Sequence, residues 1–118
     1  MPRVLVVEDE PLIGLMVVEW LAELGFDTEG PVSTVPEAIA LINGVKLDAA
    51  ILDVSLGNQD CTPLANALSA KGIPFALASG HAADRYVANC ANALLLSKPY
   101  DYEAFRSMMT QLLSASSR

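Results

Sequence analysis

Short runs of apolar residues alternate along this chain with longer stretches in which apolar positions recur at helical spacing. The runs Arg3–Val7, Phe26–Pro31, Ala49–Leu52, Pro74–Ala78 and Ala93–Leu96 have the length and composition of strands. The stretches Pro11–Leu24, Val35–Asn43, Pro63–Ala70, Asp84–Ala91 and Tyr102–Ser114 have the amphipathic pattern of helices. Five such strand–helix pairs in strict alternation predict an α/β domain built on a parallel sheet.

The punctuation agrees with the periodicity. Gly25, Gly44 and Gly72 follow helical stretches, where a left-handed residue is wanted, and Pro36 and Pro63 suit first-turn positions. In the first helix Leu12, Met16, Leu21 and Leu24 form an apolar stripe for core packing, with Glu19 and Glu23 on the wet side. Gly30-Pro31 removes a ladder donor from the second strand, which is tolerable at a sheet edge. The strand order 2-1-3-4-5 makes this strand an edge. No internal repeat, low-complexity tract or linker is present, so residues 1–118 are expected to form one domain, with 114–118 as a frayed small-residue tail.

Length and charge narrow the function. A chain of 118 residues holds one core and leaves no room for a second folded module such as a helix-turn-helix. Seven Lys and Arg against 14 Asp and Glu give a net charge of −7, which disfavours nucleic acid or an anionic membrane as partner. No basic leader or long apolar segment appears, so a cytoplasmic protein is expected. Cys61 and Cys90 lack a C-x-x-C arrangement or other ligands nearby and are read as reduced packing thiols.

The chemistry gathers at strand ends. Glu8 and Asp9 follow the first strand, Asp53 the third and Lys98-Pro99 the fifth. In an open α/β sheet the functional crevice lies beyond the carboxyl ends of the strands, so these residues are expected to converge. Two carboxylates about 5 Å apart repel by roughly 3 kcal/mol at an effective dielectric near 20. Three of them in one crevice therefore call for a cation, and that cation together with Lys98 could neutralise a phosphoryl group. The plainer alternative is that Asp9 and Asp53 cap the helices that follow them and Lys98 is a solvated surface residue.

Taken in order, VLVVEDEP, AAILDVSLG, ALASG and LLLSKPY resemble, over nearly the whole chain, the receiver domain of two-component response regulators. The resemblance implies a flavodoxin-like fold: a five-stranded parallel sheet in the order 2-1-3-4-5 with helices on both faces. It implies that Asp53 accepts a phosphoryl group from a phosphohistidine on a histidine kinase or phosphotransfer protein. It further implies Mg²⁺ as cofactor, with Asp9 and Asp53 as direct ligands, Glu8 acting through water and the Ser55 carbonyl completing the set. Lys98 would pair with the phosphoryl oxygens, across a cis bond to Pro99, and the Ser79 hydroxyl would follow the phosphoryl group.

GIPFALASGH, with DCTPLANALSAKGIPF overlapping and preceding it, resembles the PFxFATG(Y) signature of single-domain receivers that work with an atypical class of histidine kinases. Ser79 stands for the usual Thr and His81 for the usual Tyr. Leu95 occupies the position where many receivers carry an aromatic that turns inward on activation, so the switch is expected in the Ser79–Arg85 loop and the helix after it. Tyr86 and Tyr100 are read most simply as packing residues, although the resemblance puts them on the face where receivers bind partners.

The expected function is thus a phosphoacceptor, not a classical enzyme, that signals to an unidentified downstream protein by contact or serves as a phosphate sink. A pseudo-receiver that binds its partner independently of phosphorylation is the alternative. A flavin or nucleotide enzyme on the same fold is disfavoured, since neither G-x-G-x-x-G nor G-x-x-x-x-G-K-[ST] occurs.

Overall fold

The computed structural model describes residues 2–53, 62–79, 94–97 and 100–116. Within them run β1 (Arg3–Val7), α1 (Pro11–Glu23), β2 (Asp27–Val32), α2 (Val35–Gly44), β3 (Ala49–Asp53), α3 (Thr62–Ala70), β4 (Phe75–Ser79), β5 (Leu94–Ser97) and α4 (Tyr102–Ser116). The strands form one sheet in the order β2-β1-β3-β4-β5, every pair parallel. This is the expected topology. The helix expected over 84–91 lies outside the described residues.

Successive residues of a strand point to opposite faces, and here both faces are covered. Val4 and Val6 pack with Val17 and Leu21 of α1 and with Phe105 and Met109 of α4. Leu5 and Val7 pack on the other side with Ala38 and Ile42 of α2 and Leu64 and Leu68 of α3. That is why β1 reads as an unbroken apolar run. Phe105, Met108, Met109 and Leu112 give α4 one buried stripe, and the helix is started by Asp101, whose Oδ1 accepts the Ala104 N–H at 2.9 Å. The Thr34 hydroxyl opens α2: it accepts the Glu37 N–H and donates to the Glu37 carboxylate. At the other end of α2 the Lys71 ammonium donates to the Ile42 carbonyl at 2.9 Å.

Two expectations need correction. Gly25 and Gly72 do carry positive φ (89° and 68°), but Gly44 does not; it is the last residue of α2, and the cap is the extended Val45. The buried face of α1 is Gly14, Val17 and Leu21, whereas Leu12 is 81% exposed. The segment PLIGLMVV is apolar almost all round, so periodicity could not choose its inward face. Shape did: the helix approaches β2 closely at Gly14, and Leu12 is rotated out. Pro31 does lie on the edge strand, as its missing donor requires, and the peptide bond before it is cis.

Candidate functional site

Strand register determines which residues meet at the C-terminal edge. Val7 pairs with Leu52, so Glu8 and Asp53 are the next positions outward on adjacent strands. Asp53 pairs with Ala78, and Ser79, one step on, pairs with Ser97. With neighbouring strands about 4.8 Å apart, the backbones of Glu8 and Asp53 are level on adjacent strands at the sheet edge, and Ser79 stands one residue further out on the next strand. Lys98 follows Ser97 directly in sequence. Of Asp53 and Ser79 only the backbone is described, and Ser55, Lys98, Pro99, His81 and Tyr86 lie outside the described residues altogether. Leu95 is in β5, as expected.

Glu8 is only 6% exposed and is the one buried charged side chain among the described residues. Its N–H donates to the Val32 carbonyl at 2.9 Å, which ties the end of β1 to the end of β2. Its Oε1 accepts the Glu10 N–H at 3.1 Å, so the loop turns back on the carboxylate. Asp9 and Glu10 are exposed beside it. The three acidic residues open onto a cavity of about 400 Å³ whose other walls are Pro11, Leu15, Pro31 and Ser33.

Hard carboxylate oxygens at the mouth of an open cavity are the donor chemistry that Mg²⁺ takes. Glu8 and Asp9 therefore fit the ion. Among the described residues no group of three or more His, Cys, Asp or Glu is disposed to hold a metal; the expected third carboxylate, Asp53, is described by its backbone alone.

Two residues beyond Lys98, Tyr100 is half-buried in an aromatic group. Its ring lies 6.3 Å from Phe105 in a stacked arrangement and 6.1 Å from Trp20 edge-on. Trp20 also meets Tyr102 and Phe105. Tyr100 thus packs between α1 and α4.

Residues 4–110 match the family model for the response regulator receiver domain. The chain belongs to this family. Among solved structures, this receiver domain is similar to SdrG from Pseudomonas melonis in its beryllofluoride-activated conformation, with 38% identity over 94% of this chain and 95% of that one, TM-score 0.80. It is also similar to a response regulator receiver protein from Sinorhizobium medicae, with 25% identity over 98% and 96% of the two chains, TM-score 0.87. The receiver domain of a sensor histidine kinase from Pseudomonas aeruginosa, with magnesium coordinated in its active-site cleft, shares the fold at 19% identity, TM-score 0.81, over 96% and 98% of the chains. Comparison with curated proteins gave no match.

Membership makes this a receiver of two-component signalling, a family of phosphoacceptors. Among the described residues, no helix is long and apolar enough to cross a membrane. Sequence reasoning missed Glu10, whose amide holds Glu8, and Pro31, which walls the cavity. The signal for Pro31 was there in Gly30-Pro31, but it was read only as a mark of the sheet edge.

Proposed function

We propose that this receiver accepts a phosphoryl group on Asp53 from a phosphohistidine of a histidine kinase or phosphotransfer protein. The observation that supports this reading is the register of β1, β3 and β4, in which the backbones of Glu8 and Asp53 are level at the sheet edge and that of Ser79 is one residue further out on the next strand. A carboxylate oxygen of Asp53 attacks phosphorus; a P–O bond forms as the P–N bond breaks, and the imidazole nitrogen keeps the bonding pair. Asp9, Asp53 and the Ser55 carbonyl would hold Mg²⁺, with Glu8 acting through water. Bound there, the ion would supply charge neutralisation for the carboxylates and the phosphoryl oxygens. Lys98, next after Ser97 in sequence, would pair with those oxygens, and the Ser79 hydroxyl would follow the phosphoryl group.

The magnesium in the cleft of the Pseudomonas aeruginosa receiver and the activation of SdrG by beryllofluoride support this assignment. The resemblance of GIPFALASGH to the signature of single-domain receivers supports a stand-alone cytoplasmic protein, whose output is contact with a downstream protein or removal of phosphoryl groups from a kinase. Intact-mass measurement after incubation with Mg²⁺ and a small-molecule phosphodonor tests the assignment. One added phosphate is expected on the native chain and none on Asp53→Asn. Equal labelling of both would move the acceptor elsewhere, and no labelling of either would favour a pseudo-receiver.

A further inference from the structure

Gly14 is the fourth residue of α1, and inside a helix glycine costs up to about 1 kcal/mol relative to alanine. Its φ is not among the positive ones, so the backbone does not require glycine there. The space does. A Cβ at position 14 would lie 3.0 Å from Pro31 Cγ, 3.3 Å from Pro31 Cβ and 3.9 Å from Glu8 Cγ. The ring can yield at Cγ only by changing its pucker, so an added Cβ at position 14 would press on Pro31.

Pro31 reaches α1 because the β1–β2 ladder slips. Leu5 pairs with Glu29 but Val7 pairs with Val32, so β2 carries one extra residue in this interval. A bulge of this kind bends the strand and re-aims a side chain. Gly30 absorbs it with φ of +99°, and the Glu8 N–H to Val32 carbonyl bond closes the ladder beyond it. The result is a proline ring set in the notch that Gly14 leaves, forming one wall of the cavity onto which Glu8 opens.

We infer that Gly14 and Pro31 are positioning residues for the Glu8 carboxylate, holding it in the conformer that receives the Glu10 amide and faces the cation. The inference rests on Glu8 belonging to the Mg²⁺ site. Both would act through the Glu8 side chain, whose Cγ lies 3.9 Å from the position of a Cβ at residue 14 and which shares the cavity wall with Pro31. Outer-shell groups that orient a metal's ligands by hydrogen bonds change affinity by about 10–100-fold when altered, and packing contacts one step further out belong at the low end of that range.

The test is calorimetric titration of the full chain with Mg²⁺, with folding checked by circular dichroism. Gly14→Ala should bind Mg²⁺ about tenfold more weakly than the native chain. Gly44→Ala, a helical glycine with nothing within 4 Å of its Cβ position, should bind normally and separates a general gain in helix propensity from the local effect. Pro31→Ala removes the wall instead of pressing on it and should also weaken binding, so the test stands even where Gly14→Ala does not fold. Native affinity in Gly14→Ala or in Pro31→Ala, with binding weakened in Glu8→Gln, would overturn the inference and leave the site assignment intact. Native affinity in Glu8→Gln, or no binding by the native chain, would overturn the site assignment and the inference with it.

Discussion

The Trp20 indole packs edge-on against the Tyr100 ring, with centroids 6.1 Å apart and planes at 61°. Trp20 is the only tryptophan of the chain, and Tyr100 stands two residues after Lys98. A phosphoryl mimic that draws Lys98 inward should therefore disturb the ring beside the indole. Beryllofluoride with Mg²⁺ is expected to change Trp20 emission, and Tyr100→Leu should lose most of that change. An equal response in both proteins would mean that the signal reaches Trp20 through α1, by way of the Glu8–Glu10 loop.

Mg²⁺ should stabilise the unphosphorylated fold, because it relieves repulsion among carboxylates that are crowded only in the native state. At a hundred times Kd, a ligand specific to the folded state adds about 2.7 kcal/mol. The melting temperature is expected to climb with Mg²⁺ concentration, and far less so in Asp9→Asn. The same climb in both proteins would place the ion away from Asp9.

Two leucines of one helix test the corrected orientation of α1. Leu21 is fully buried against Val4 and Val6, while Leu12 is 81% exposed. Leu21→Ala should cost about 2–5 kcal/mol in urea unfolding, the range for a buried leucine. Leu12→Ala should stay within about 0.5 kcal/mol of the native chain. Comparable losses would restore Leu12 to the core stripe that the apolar pattern first suggests.

The same helix shows how much of this molecule could be read in its sequence. Strand order was legible because alternating βα units leave few topologies, and Gly30-Pro31 marked the edge. Strand ends were right to within a residue, and the register brings Glu8 level with Asp53, with Ser79 one residue further out, because each follows an apolar run of similar length. The inward face of α1 was legible at Met16, Leu21 and Leu24 but not at Leu12, since an apolar stripe can be drawn through PLIGLMVV in several ways. What decided it was a contact across the fold, Pro31 on Gly14. No local pattern encodes that contact, because it depends on one extra residue in the neighbouring strand.

That extra residue yields the sharpest stability prediction. Gly25 and Gly30 both have positive φ, 89° and 99°, and an L side chain at either position is strained by about 1–2 kcal/mol. Their surroundings differ. A Cβ at Gly25 meets nothing within 4 Å, whereas one at Gly30 lies 2.6 Å from the Val6 carbonyl oxygen and 2.8 Å from the Val32 nitrogen. Both of those atoms are backbone of the paired strands, so neither can move without opening the ladder that holds Glu8. Gly25→Ala should therefore lose only the conformational penalty, while Gly30→Ala should lose clearly more in urea unfolding and weaken Mg²⁺ binding as well. Equal losses in the two variants, with Mg²⁺ affinity unchanged in Gly30→Ala, would show that the bulge can be rebuilt around an alanine without disturbing Glu8.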